Sequence, residues 1–80
     1  MKGFEMHEGK CKWWNRERGF GYIARDGEPD VWCHATRVMG VDQPYLTEGE
    51  PVRFEIVIDP SGRHSARNVQ RINRLEWLRA

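Results

Sequence analysis

The sequence predicts an all-β domain, five short strands closing into a small antiparallel barrel. Three observations carry this. Val52, Phe54, Ile56 and Ile58 alternate with Arg53, Glu55 and Val57, a period of two that places each set on one strand face. Asp26-Gly27-Glu28-Pro29 and Asp59-Pro60-Ser61-Gly62 are strong turn signals, Gly supplying positive φ and Pro excluding ladder pairing. The chain has 80 residues, 39% of them hydrophobic, enough for one domain with a modest core. A sheet that small hides its edges best by closing on itself.

The elements follow in order. Residues 1–7 are a lead-in, and residues 8–72 form the domain. The first strand covers residues 8–15, and a tight connection at Arg16-Glu17 leads to the second, residues 19–25. The third covers residues 30–34. Residues 35–49 are the longest connection, with one helical turn near residues 36–39. Glu48-Gly49-Glu50 turns the chain into the fourth strand, residues 52–58, and the fifth covers residues 64–72 with Val69 inward. Residues 73–80 are an extension. There Asn73 and Glu76 have capping-box spacing, and Ile72, Leu75 and Leu78 lie at helical spacing. So short a helix is unstable alone, so it docks or frays.

Function is written in strand phase. Along Arg18-Gly19-Phe20-Gly21-Tyr22-Ile23, alternation puts Phe20 and Tyr22 on one face and Gly19, Gly21 and Ile23 on the other. In Val31-Trp32-Cys33-His34, Trp32 and His34 share a face opposite Val31 and Cys33. A barrel this small has one interior. If Ile23, Val31 and Cys33 fill it, the rings lie outside. Trp13 is expected on the ring face and Trp14 partly buried at its edge. Lys10, Lys12, Arg16 and Arg18 stand nearby. Rings stack on bases and cations track phosphates, a pattern suited to single-stranded RNA or DNA.

Charge alone is a weaker guide. The net charge is +1: through Asp59 there are eight Lys/Arg against eleven Asp/Glu, and from Pro60 onward five Arg against one Glu. Cys11 and Cys33 both fall on the inward phase, which reads as two buried free thiols. No Cys-x-x-Cys or His-x-x-x-His pair exists, so no metal or other cofactor is expected. His34 has no nucleophile or second carboxylate placed to work with it, and no phosphate-binding glycine loop appears, so no enzyme is expected. No apolar run suggests a secretory signal or a membrane span, and a cytoplasmic monomer is the expectation.

These residues resemble the cold-shock domain family. The family carries Gly-Lys-x-Lys-Trp-Phe-Asn, Lys-Gly-Phe-Gly-Phe-Ile and Val-Phe-Val-His-Phe. Here they read Gly9-Lys10-Cys11-Lys12-Trp13-Trp14-Asn15, Arg18-Gly19-Phe20-Gly21-Tyr22-Ile23 and Val31-Trp32-Cys33-His34-Ala35. Leu46, Glu48-Gly49, Val52-Arg53-Phe54-Glu55-Ile56 and Asn68-Val69 follow the pattern too, so the resemblance spans about residues 8–72. It implies a five-stranded OB-type barrel that binds single-stranded RNA or DNA with little sequence preference on strands one to three. It also implies action as a passive nucleic-acid chaperone. Carried over position by position, the nucleic-acid-binding set is Lys10, Lys12, Trp13, Trp14, Asn15, Arg18, Phe20, Tyr22, Trp32 and His34. Two departures stand out. Ala35 replaces a base-stacking phenylalanine, and Gln43 replaces another aromatic, for which Tyr45, two residues on, offers a substitute and joins the set. Arg67 stands where a small or apolar residue is usual. The rival reading is a protein-interaction module that uses the barrel face or Leu75, Trp77 and Leu78.

Overall fold

The computed structural model describes residues 5–40 and 45–72. Its strands are β1 (His7–Asn15), β2 (Phe20–Arg25), β3 (Glu28–His34), β4 (Pro51–Ile58) and β5 (His64–Arg71), with one 3-10 turn at Ala35–Arg37. They close in the order β1-β2-β3-β5-β4. Every seam is antiparallel except β3–β5, which is parallel and rests on the pair Trp32 and Ser65. The expected barrel is therefore present with one parallel seam, because β5 returns from β4 to lie beside β3. A parallel bridge between Val38 and Val69 extends that seam past the 3-10 turn.

Local chemistry sets the turns. Asn15 ends β1 by accepting the Arg18 amide on Oδ1 at 2.9 Å and the Gly19 amide on its carbonyl at 2.9 Å. Asp26 and Gly27 form a two-residue hairpin loop, with Arg25 paired to Glu28 and Gly27 at φ 72°. Glu28 and Pro29 were expected in this turn but belong to β3. Between the pairs Ile23–Val31 and Arg25–Glu28, β3 carries one residue more than β2, and that bulge relieves Pro29 of any ladder donation. The 3-10 turn starts one residue earlier than the helical turn expected near residues 36–39. The cause is His34, whose Nδ1 accepts the Thr36 amide at 3.2 Å and caps it.

The core holds Cys11, Ile23, Val31, Cys33, Val38, Leu46, Val52, Phe54, Ala66 and Val69, with Trp14 and Ile56 packed at its margin. Phe54 is the largest side chain fully buried. The shared face of β4 is buried at Val52 and Phe54, half-buried at Ile56 and 60% exposed at Ile58. The alternation loses its meaning there because β1 pairs with β4 only as far as Phe54. Beyond it β4 is paired on the β5 side alone, and Ile58 lies at the tip of the β4–β5 hairpin.

Gly21 sits opposite Trp14, and a Cβ there would come within 2.5 Å of the Trp14 ring and closer still to the Trp13 carbonyl oxygen. Backbone cannot yield to it. Gly21→Ala is therefore expected to destabilise the fold by about 1–3 kcal/mol, read as a lowered urea midpoint. An unchanged midpoint would show that Trp14 is loosely held.

Both thiols are free and buried. Burial pushes Cys11 up to about 11 and Cys33 up to about 12, so neither forms the reactive thiolate near neutral pH. Thiol labelling at pH 8 should be slow in native protein and fast in denaturant. Rapid native labelling would contradict the inward phase of β1 and β3.

Candidate nucleic-acid interface

The aromatic face is built by register. Trp13 pairs with Tyr22 and Tyr22 with Trp32, forming one row of rings across three strands. Asn15 pairs with Phe20 and Phe20 with His34, forming a second row beside it. The opposite phase of β2 and β3 (Gly21, Ile23, Val31 and Cys33) is buried, which leaves the rings no room inside. Trp13 reaches this face through a β-bulge. Between Cys11, paired to Ile23, and Trp13, paired to Tyr22, the extra residue is Lys12. Without it Trp13 would share the inward phase of Cys11.

The rings touch in a continuous patch. Centroids are 5.5 Å apart for Trp13 and Phe20, 6.2 Å for Phe20 and Trp32, and 5.8 Å for Trp32 and His34. Tyr22 lies 6.3 Å from Trp13 and 6.5 Å from Phe20. Mutual shielding leaves Phe20, Tyr22 and Trp32 half-buried, while Trp13 is 41% exposed. Edge-to-face and tilted contacts hold the rings in place and leave the faces of Trp13, Phe20 and Tyr22 to a ligand, while one face of Trp32 is covered by Arg63. On His34, acceptance of the Thr36 amide by Nδ1 puts the ring proton on Nε2, which becomes a donor for a base.

The cations are less available than the sequence suggests. Lys12 Nζ lies 2.9 Å from Asp30 Oδ2, an exposed pair that a phosphate can exchange at little cost. Lys10 and Arg18 are exposed on β1 and the β1–β2 turn. Asn15 is committed to holding that turn. Trp14, expected at the edge of the binding face, lies half-buried against the core opposite Gly21, on the phase facing away from the rings. Tyr45 lies under Arg16, whose guanidinium carbon is 3.7 Å from its ring centroid. Gln43, Leu75, Trp77 and Leu78, and the capping pair Asn73 and Glu76, lie outside the described residues.

One element of the site had no signal in the sequence. Arg63 places its guanidinium carbon 4.0 Å from the Trp32 ring centroid while its Nε donates to Asp59 Oδ2 at 2.8 Å. Asp59 also accepts from Ser61, from the Arg63 amide and from Ser65. These hydrogen bonds, Ser61 first, hold its carboxyl far below the usual carboxylate range. Among the described residues, no group of three or more His, Cys, Asp or Glu side chains is placed to hold a metal ion. No helix there is long and apolar enough to cross a membrane.

Comparison with known proteins agrees with this geometry. The model of the 'Cold-shock' DNA-binding domain matches residues 7–72. Cold shock protein CspB of Bacillus caldolyticus is 42% identical over 65 residues, covering 81% of this chain and 98% of that protein. Cold shock protein CspD of Bacillus subtilis is 48% identical over 52 residues, covering 65% and 79%. Among solved structures, Drosophila Unr CSD456 superposes with a TM-score of 0.75 at 18% identity, over 90% of this chain and 29% of that one, a likeness of fold. A matched domain that spans most of the chain, on a barrel carrying these rings, places the protein in the cold-shock domain family.

Proposed function

We propose that this protein binds single-stranded RNA or DNA with little sequence preference by stacking bases on Trp13, Phe20, Tyr22 and Trp32. Cold-shock domain proteins bind single-stranded nucleic acids, and theirs is a non-enzymatic family. The observation that carries the reading to these residues is the continuous ring patch across β1, β2 and β3. Every base has a π face, so such a patch accepts any sequence. His34 adds a donor for a base edge. Lys10, Lys12 and Arg18 line the approach of the phosphates. By holding the unpaired strand, the protein would shift base-paired forms toward single strands through mass action, as a passive chaperone. The proposal has it act as a monomer in the cytosol, where its buried thiols stay reduced.

Replacing a ring should weaken binding and spare the fold. Phe20→Ala and Trp13→Ala are each expected to cost about 1–3 kcal/mol in a titration with a pyrimidine-rich oligonucleotide. Circular dichroism should remain that of the wild type. Loss of folded signal in both variants would make the rings structural and move the binding site elsewhere.

Ala35 follows His34 directly and begins the 3-10 turn, its amide donating to the Gly19 carbonyl at 2.8 Å. A ring there would extend the row that ends at His34 without new backbone. Ala35→Phe should therefore tighten the same oligonucleotide by about tenfold, near the low end of one stacked base. Unchanged or weaker affinity would show that the strand leaves the patch before His34.

A further inference from the structure

Arg63 is held at two points, by an acid and by a ring. Its Nε is fixed by Asp59, and Asp59 is itself fixed by Ser61, Ser65 and the Arg63 amide. Its guanidinium carbon lies in face contact with Trp32, 4.0 Å from the ring centroid. The two terminal nitrogens have no hydrogen-bond partner among the described residues, and the side chain is 48% exposed. Trp32 has Phe20 on one side and His34 on the other, with centroids 6.2 and 5.8 Å away. The planes of Phe20 and His34 are tilted 33° and 42° to that of Trp32, so a base stacked on either neighbour comes beside the guanidinium and presents an edge to it.

The edge such a fork recognises is set by its chemistry. Two parallel N–H donors need two adjacent acceptors. Guanine presents them as O6 and N7, whereas adenine offers N7 beside an N6 amino donor that opposes the fork. Thymine has no adjacent pair of acceptors, because its N3–H separates O2 from O4. Cytosine has O2 and N3 on its pairing edge and is the competitor that the titration must include. The surroundings favour an anionic strand here. Past Arg63 a groove of about 260 Å³ runs along the β3–β5 seam, where Trp32, Arg37, Asp59, Ser65 and Arg67 are among the lining. Asp59 is paired with Arg63 and Arg67 with Glu55, and Arg37 adds a positive charge beside the ring patch.

We propose that Arg63 is a specificity-determining residue that reads the O6 and N7 edge of one guanine in a single strand stacked on the ring patch. The proposal rests on the nucleic-acid reading above and adds one base-selective position to a platform otherwise indifferent to sequence. Arg63 contributes this selectivity because Asp59 and Trp32 hold the fork in place before the strand arrives.

The test is a series of thymine oligonucleotides carrying one guanine at successive positions, titrated by tryptophan fluorescence at fixed salt. Guanine at one position should tighten binding about tenfold over thymine and over cytosine at that position. Inosine, which keeps O6 and N7, should keep the gain at that position. 7-Deazaguanine, which lacks N7, and 2-aminopurine, which lacks O6, should lose it. Arg63→Lys keeps the charge without the fork and should abolish the guanine gain, so that guanine and thymine at that position bind alike. Thermal unfolding of the variant establishes that it is folded. The proposal is overturned if no position prefers guanine, if 7-deazaguanine equals guanine, or if the preference survives Arg63→Lys. It is also overturned if Arg63→Ala tightens every oligonucleotide alike, since Arg63 would then be a cover over Trp32. Failure of the wild type to bind any oligonucleotide is a different result and removes the nucleic-acid reading itself.

Discussion

The β-bulge at Lys12 is the constraint on which both faces of the barrel depend. Cys11 and Trp13 are two residues apart, so a regular strand points them the same way. The core needs Cys11, which is 2% exposed against Ile23, while the ring patch needs Trp13 outside, beside Tyr22 and Phe20. One extra residue satisfies both. It also turns Trp14 inward, and that is possible only because Gly21 opposite has no side chain. The Trp-Trp pair is thus divided, one ring for the surface and one for the margin of the core. A regular strand would bury Trp13 in an interior already filled by Phe54 and its aliphatic neighbours.

This explains which features were legible in the sequence. The strand phases of β2 and β3 could be read directly, because glycines, aliphatics and a thiol occupy one parity and rings the other. The outward Trp13 and inward Cys11 were both expected, yet they conflict in a regular strand, and nothing in Lys10-Cys11-Lys12-Trp13 marks the bulge that reconciles them. Pro29 misled as a turn residue because a bulge can host it within a strand. Ile58 kept the β4 alternation after its partner strand had ended. Alternation reports a strand's own geometry and says nothing of whether a neighbour covers it. The contact of Arg63 with Trp32 was invisible for a related reason, since it arises from the parallel seam, which joins segments far apart in the chain.

Electrostatics shapes the balance of forces at the site. Besides Lys12 with Asp30, the described residues hold Arg53 near Glu8, Arg67 near Glu55 and Arg71 near Glu50. Pairs of this kind, open or partly open to water, add little stability. Their larger effect is to cancel the field that would draw a polyanion from a distance. With a net charge of +1, the protein has little long-range attraction to offer. Affinity must then come from contact, by stacking on the rings and by a few charge-assisted hydrogen bonds. A binder of this type depends on salt less steeply than one that neutralises many phosphates.

Contact binding rewards a site that is ordered beforehand, since every side chain fixed on binding subtracts from affinity. Three devices supply that order. The rings brace one another across three strands. Asp59 collects its hydrogen bonds within one turn and fixes Arg63 on Trp32. Arg71, at the end of β5, reaches back to the long connection, donating to the carbonyls of Met39, at 3.4 Å, and Tyr45, with its Nε 3.0 Å from Glu50. It thereby ties both described flanks of that connection to the barrel and seats Tyr45 beneath Arg16 at the β1–β2 turn. The rings are held across β1, β2 and β3, and the turn and the connection by contacts at the ends of β4 and β5, so each is ordered by the barrel that carries it. Residues with no part in the core thus settle how much of the stacking energy appears as affinity.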